Sequence, residues 1–390
     1  DHSEFVYKRL IKGFPYIEDP GFLDFLNQVI RENGIDCVYP AHDSASVFFS
    51  EHRDEIQAQV IIAEPFTTTV CRSKAETYRY LSEYDFIPKI YPGTESVESY
   101  PDFVKPSVGQ GSKGACKIGS RRELEEALGA DKNLVICEYL PGMEYTVDCF
   151  TDGKGKLLAC KFRDRERIRS GIAVRSKSLE CPEEVQNIAH ILNCRFAFKG
   201  AWFFQIKLAQ NGRYKLLEIS PRIPGTMGLS RNSGINFPLL TLFVFWGYDV
   251  SVLDNHYDII LDRAFYSAYR VDIEYSDIYL DFDDTVTLNG AVNPDVMRFI
   301  YQSVNKGKKI HLLSRHAGDL VNDLEKLHID KGLFAEITVL SGEDEKWNHI
   351  HEKNAVFIDD SFAERKKVKE KTGIPVFDVD MIECLIDWRM

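Results

Sequence analysis

The apolar run Ile278-Tyr279-Leu280 passes directly into Asp281-Phe282-Asp283-Asp284-Thr285, and this junction constrains the fold more than any other stretch. Consecutive apolar residues read as a buried strand. Carboxylates crowded at its end repel one another, a cost that a bound cation relieves. Alone, the string could be an acidic turn; the residues that follow argue otherwise. Further strands are expected at Ile310 to Leu313, Ile337 to Leu340 and Ala355 to Asp359, alternating with helices, which is the pattern of a parallel sheet. His311-Leu312-Leu313-Ser314 ends in a hydroxyl, Val356-Phe357-Ile358-Asp359-Asp360-Ser361 ends in paired aspartates, and Lys346 is a candidate cation partner, with Lys353 as the alternative. Each of these residues falls at or just beyond the carboxyl end of a strand, where open α/β sheets bind ligands.

This element occupies only the last third of the chain. At 390 residues the chain exceeds what one core usually supports, so two or three domains are expected. A formal net charge of -12 argues against a nucleic-acid partner, although a local basic groove stays open. The 9 cysteines form no Cys-x-x-Cys pair and read as reduced thiols in a cytoplasmic protein without a structural metal. Phe237 to Tyr248 is shorter than the roughly 20 residues of a membrane span and reads as a buried helix. No signal peptide is visible. Because the chain opens at Asp1 with no methionine and no preceding apolar strand, an upstream segment is expected to be missing from this numbering.

Residues 1–65 read as a partial α/β domain: a helix over Gly21 to about Asn33, a stop at Asn33-Gly34, a strand over Ile35 to Tyr39, a helix over Ser44 to Gln57 and a strand over Val60 to Ala63. Residues 66–272 read as an α+β domain and 273–390 as a third, Rossmann-like domain. Within the second, a helix is expected at Lys74 to Ser82, another at Arg121 to Leu128, and strands at Glu144 to Phe150, Leu157 to Phe162 and Ala201 to Leu208. Asn211-Gly212 should join the last of these to Tyr214 to Ile219 as a hairpin.

Phe103-Val104-Lys105-Pro106-Ser107-Val108-Gly109-Gln110-Gly111-Ser112-Lys113-Gly114 is a strand ending in a lysine, followed by a glycine- and serine-rich turn. Backbone N–H groups around Gly109 and Gly111 can wrap phosphates while the lysine supplies charge. A plain hairpin turn is the alternative for this stretch alone. Downstream lie Cys137-Glu138-Tyr139-Leu140-Pro141-Gly142-Met143-Glu144, then Gln205, then Leu217-Glu218-Ile219-Ser220-Pro221-Arg222.

With these motifs in order, residues from about Ile35 to Val271 resemble the ATP-grasp superfamily, particularly the carboxylate-amine ligases and the carbamoyl phosphate synthase large-subunit type. The resemblance implies that Lys74 and Lys105 hold ATP phosphates, that Glu138, Tyr139 and Leu140 form the hinge meeting adenine, and that Glu144 binds the ribose. Gln205 and Glu218 would carry Mg2+, or Mn2+ in its place. Ser220 stands where the family usually has asparagine, a weaker ligand that leaves a second metal position open. Independently, the predicted hairpin sets Gln205 and Glu218 on neighbouring strands, so two oxygens can converge on one hard cation. Arg222 would neutralise charge on the transferring phosphoryl group.

Lys161, Arg163, Arg165, Arg167 and Arg169 alternate and would share one face if extended. A solvated charged edge, with Asp164 and Glu166 as partners, and contact with an anionic substrate are both open. Ser230-Arg231-Asn232-Ser233-Gly234 is expected in the acceptor pocket.

The carboxyl-terminal motifs resemble the haloacid dehalogenase superfamily from Asp277 to about Val379. The resemblance implies that Asp281 is a nucleophile forming an aspartyl phosphate, and that Asp283 protonates the leaving oxygen and later activates water. Ser314 and Lys346 would bind the phosphoryl oxygens, and Asp281, Asp283, Asp359 and Asp360 would surround magnesium. The 28 residues from 286 to 313 and the 31 from 315 to 345 leave no room for a sizeable cap, so an open pocket is expected, suited to a bulky substrate or covered by the neighbouring domain. His316, His349 and His351 read as surface residues.

The resulting expectation is a bifunctional enzyme whose partners are a small carboxylate, an amine-type acceptor and a phosphate ester, with oligomeric state unspecified. An ATP-grasp kinase, or one silent binding half, are the alternatives.

Overall fold

The computed structural model describes residues 2–109, 111 and 113–389. They form two compact units, Gly13–Ala264 and Asp1–Lys12 with Phe265–Met390. The expected boundaries at 65/66 and 272/273 thus coincide with neither division: residues 13–65 share a unit with those up to 264, and 265–272 go with the carboxyl-terminal sheet.

In Gly13–Ala264, helix Phe22–Asn33 stops at Gly34, whose left-handed φ of 60° lets its N–H reach the Ile30 carbonyl. Cys37–Val38 and Gln59–Val60 then pair in parallel across helix Asp43–Glu51, which is shorter than expected at its carboxyl end. A four-stranded antiparallel sheet follows in the order Ile90–Tyr91, Leu134–Glu138, Asp102–Pro106, Cys116–Ile118. Helix Arg121–Ala130, capped by the Ser120 side chain, buries Leu124 among Val104, Ile118 and Ile136.

The larger sheet orders Tyr214–Ser220, Gly200–Leu208, Glu144–Thr151, Leu157–Asp164, Ile172–Leu179 and Ile260–Asp262, with Arg167–Arg169 beside Ile172–Leu179. Alternation sorts its residues by face. Val147, Cys149, Trp202, Phe204 and Ile206 pack with Val185, Ile188, Ala189 and Leu192 of helix Glu183–Arg195, whose spacing gives one apolar stripe. Each large side chain in that layer contributes roughly 1.5–3 kcal/mol through burial. The opposite face carries Thr146, Asp148, Gln205, Glu218 and Ser220. The Asn211-Gly212 hairpin forms as expected, with Gln205 directly opposite Glu218 on one side and Thr146 on the other. Strand Ile172–Leu179 lies outside the expected set, because only Ala173 and Ser176 of its residues are buried and no apolar alternation marks it.

In the second unit five strands are all parallel, ordered Glu336–Val339, Lys309–Ser314, Asp277–Leu280, Ala355–Ile358, Val376–Phe377. Ile278 and Leu280 pack against Phe299 and Ile300 on one face, and Tyr279 packs with Phe357 and Val368 on the other, so both faces are buried. Between Asp281 and Lys309 lie a turn at 282–286, the short pair Thr287–Leu288 with Ala291–Val292, and helix Pro294–Asn305. Among the described residues, no helix is long and apolar enough to cross a membrane.

Candidate functional site

A cleft of ≈ 190 Å³, open at its mouth, is lined by residues of the four-stranded sheet and the larger sheet of Gly13–Ala264. Lys74, Lys105, Gly109, Gly111, Glu138, Tyr139, Leu140, Glu144, Gln205 and Glu218 all line it. The sequence spreads these residues over more than a hundred positions, and the fold collects them. Apolar lining comes from Phe103, Ala115, Cys137 and Leu217, so the cleft joins a flat apolar slot to a charged floor. Gln110 and Ser112 of the glycine-rich turn lie outside the described residues.

Lys74 is placed by its neighbours. Ser73 caps helix Lys74–Tyr80 by accepting from the Glu76 N–H, and its hydroxyl lies 2.9 Å from that of Ser107. The Lys74 N–H donates to the Ser107 carbonyl at 2.8 Å, tying the lysine to the base of the glycine-rich turn. Its ammonium then reaches Glu218 at 3.4 Å. Lys105 is buried; its ammonium donates to the Tyr78 hydroxyl at 2.5 Å and to the Leu217 carbonyl at 3.3 Å. Burial holds its pKa below the ordinary lysine value, with Cys137, Glu218 and Glu144 opposing that change. Gly111 has φ of +63°, and a Cβ on Gly171 would sit 2.4 Å from the Gly111 Cα. The two backbones therefore touch, a contact nothing in the sequence marks.

Glu218 and Gln205 present two oxygen-bearing side chains at directly opposed positions, a donor set suited to a magnesium ion that bridges phosphates. Ser220 is turned elsewhere: its hydroxyl donates to Asp43 at 2.9 Å. Arg222 clamps the same carboxylate through Nε at 2.5 Å and Nη2 at 2.6 Å. Burial raises the Asp43 pKa, but Arg222 and Ser220 outweigh it and hold the carboxyl below the usual range. Asp43 escapes sequence reasoning because it lies about 180 residues before its partners and begins an ordinary helix. Glu144, the expected ribose ligand, faces Arg165 Nε at 2.9 Å.

The alternating basic residues divide: Arg167 and Arg169 lie on an exposed strand, as a solvated edge would, whereas the first three turn inward. Lys161 pairs with Asp254 at 2.5 Å, buried Arg163 with Asp148 at 2.8 Å, and Arg165 lines the cleft. Asp164 and Glu166 are not their partners: Asp164 accepts from the Lys177 N–H, and Glu166 pairs with Arg175. Ser230 is a buried residue of the short helix Gly228–Asn232, with no hydrogen-bond partner for its hydroxyl among the described residues.

In the second unit, Lys346 is 3% exposed, and its ammonium donates to Asp281 at 2.6 Å and to Asp359 at 2.5 Å. Lys346, not Lys353, thus meets the strand-end acids. Asp281, Asp359 and Asp360 offer oxygens within 4.8 Å of one another, a set able to hold a divalent cation. Burial pushes Asp281 upward against Lys346, and pushes Asp359 up to about 6, because one ammonium cannot balance two desolvated carboxylates. Ser314 is buried near Asp281 and, with Lys346, works against the rise in the Asp281 pKa. The turn after Asp281 passes through Asp284 at φ 51°, which leaves Asp283 half-exposed.

Two histidines depart from the expected surface placement. His316 is only 10% exposed, bonded to Asp283 at 2.9 Å and to Asp323 at 3.0 Å. His349 is partly buried and pairs with Asp344 at 2.7 Å. His351 is exposed, as expected.

Residues 130–260, inside the first unit, match the family described as ATP-grasp in the biosynthetic pathway with Ter operon. A D-alanine–D-alanine ligase of Thermotoga petrophila is 28% identical over 171 residues, 39% of this chain and 54% of that protein. The chain therefore spans about half the length of this curated relative. Three solved structures share the fold. The biotin carboxylase–βγ-ATP complex of Campylobacter jejuni aligns with TM-score 0.51 and 16% identity, over 58% of each chain. The biotin carboxylase domain of Hydrogenobacter thermophilus 2-oxoglutarate carboxylase with MgADP gives 0.53 and 15%, over 62% of this chain and 60% of that one. N5-carboxyaminoimidazole synthetase of Staphylococcus aureus with ADP gives 0.52 and 13%, over 62% and 68%. These likenesses support an ATP-grasp-type α/β fold for the matched part of the chain.

Proposed function

We propose that Gly13–Ala264 is an ATP-dependent carboxylate ligase, working through an acyl phosphate with release of ADP, and that the second unit is an aspartyl phosphatase of the haloacid dehalogenase type. The ligase reading rests chiefly on Glu218 facing Gln205 across the hairpin while Lys74 and Lys105 enter the same cleft. The ATP- and ADP-bound relatives and the ligase similarity point the same way.

In this reading a substrate carboxylate oxygen attacks the γ-phosphorus, the bond to the bridging oxygen breaks, and ADP leaves. Lys74 and Lys105 balance phosphate charge, and Arg222, which lines the adjoining pocket with Lys74, Glu218 and Asp43, would meet the acyl phosphate formed. An amine-type acceptor then attacks the acyl carbon and inorganic phosphate departs. Mg2+, held by Glu218 and Gln205, would supply further charge neutralisation.

The phosphatase reading rests on Lys346 joining Asp281 to Asp359 at a parallel strand end. Asp281 would take the phosphoryl group, Asp283 would protonate the leaving oxygen, and Ser314 and Lys346 would hold the phosphoryl oxygens. Asp281, Asp359 and Asp360 would hold Mg2+.

Mass spectrometry of a metabolite extract incubated with protein, ATP and Mg2+ tests both halves. The ligase reading expects a condensed product and ADP, both lost in Arg222→Ala. The phosphatase reading expects a dephosphorylated species lost in Asp281→Asn. A phosphorylated product with no condensation would replace the ligase by a kinase.

A further inference from the structure

Two adjacent parallel strands, in register at Leu280 and Leu312, each deliver two functional side chains at or just beyond their ends. One gives Asp281 and Asp283, the other Ser314 and His316. Ser314 is buried at its strand end, and the ring of His316 meets Asp283 with Nδ1 2.9 Å from Oδ2 and 3.1 Å from Oδ1. The second ring nitrogen is occupied too: Nε2 lies 3.0 Å from Asp323 Oδ2, while Lys326 holds the other oxygen of Asp323 at 2.7 Å. The ring stands edge-on to Phe282, centroids 5.2 Å apart. With both nitrogens engaged and its ring packed, His316 has one orientation.

Asp283 needs such a hold. Its carboxylate is 51% exposed and is followed by a residue in the left-handed region, so neither burial nor the turn fixes its rotamer. A group that must transfer a proton within a narrow range of position loses rate quickly when it wanders.

We propose that His316 is a positioning residue for the phosphatase reaction, anchored by Asp323 and holding Asp283 toward the leaving-group oxygen. This deepens the phosphatase reading and rests on it. In the first step the ester P–O bond breaks as the bond from Asp281 Oδ to phosphorus forms, and the Asp283 carboxyl gives its proton to the departing alkoxide. In the second, water attacks phosphorus, its proton passes to Asp283, and the Asp281–phosphorus bond breaks to release phosphate. In both steps His316 keeps Asp283 in place without itself bonding the substrate.

Leaving groups separate positioning from structure, since a poor leaving group needs the proton and a good one does not. Hydrolysis of glycerol phosphate and of p-nitrophenyl phosphate would be compared, with Mg2+, for the full chain, His316→Leu and His316→Asn. For His316→Leu we expect kcat on glycerol phosphate to fall roughly 10- to 100-fold with KM little changed, and p-nitrophenyl phosphate turnover to stay within about 3-fold. His316→Asn, which keeps a donor near the Nδ1 position, should recover most of the loss. Equal loss on both esters, or none on either, would overturn the inference while leaving the phosphatase reading intact. A wild-type protein that hydrolyses neither ester, matching Asp281→Asn, would remove both.

Discussion

The Lys74 ammonium lies 3.4 Å from the Glu218 carboxylate across the floor of the cleft, so the cation and the anion expected to handle phosphate and metal neutralise one another. A nucleotide arriving with its magnesium exchanges both partners at once. Lys74→Met should therefore weaken binding of an ATP analogue by roughly 10- to 100-fold, the scale of a charge-assisted hydrogen bond. Fluorescence titration with a labelled nucleotide reads this directly.

Gly171 and Gly111 touch through their backbones. Gly171→Ala adds a Cβ at φ +74° where 2.4 Å separates it from the Gly111 Cα, so the glycine-rich turn must shift. The expected outcome is a rise in KM for ATP of about 10-fold. Gly212→Ala serves as a control at a φ of +77° where a Cβ meets nothing, and should leave KM unchanged.

Asp43 anchors Arg222 and Ser220 together. Asp43→Ala leaves a partly buried guanidinium unpaired, with an expected stability loss of about 1–3 kcal/mol. If Arg222 acts on the phosphoryl group, the same change lowers kcat more than it raises KM for ATP. Thermal denaturation and steady-state kinetics separate the two effects.

Asp359 gives a pH signature. Its folded pKa of about 6 lies above the ordinary carboxylate value, so the folded state binds the extra proton. Stability from this group is then fullest at low pH and falls as pH rises from about 4 to about 6, a tenfold difference in proton affinity being worth about 1.4 kcal/mol. Mg2+ should reverse the penalty, raising Tm more at pH 7 than at pH 5. Lys346→Met should steepen the fall by leaving Asp281 and Asp359 facing each other unbalanced.

What could be read in the sequence was whatever lay in a regular local pattern. The Asn211-Gly212 turn marks the hairpin that carries Gln205 and Glu218 on neighbouring strands, although a bulge at Gln205/Ile206 that the sequence does not mark brings the two opposite, and apolar runs ending in acids mark the parallel strands. What could not be read depended on distance along the chain or on an absent pattern. Asp43 meets Arg222 across 179 positions, and Gly171 meets Gly111 in the middle of a polar stretch. Strand Ile172–Leu179 hides because its polar residues are satisfied by neighbours that sequence does not reveal. His316 reads as a surface residue because its two acid partners sit on different elements.

Everything proposed for Gly13–Ala264 depends on its cleft binding ATP through a magnesium ion held at Glu218. Calorimetric titration with the β,γ-imido analogue of ATP, with and without Mg2+, on wild type and Glu218→Ala addresses this without intermediate steps. One Mg2+-dependent site per chain is expected in wild type, weakened at least roughly 10-fold by Glu218→Ala. Binding that ignores both Mg2+ and Glu218, or no binding at all, would contradict it.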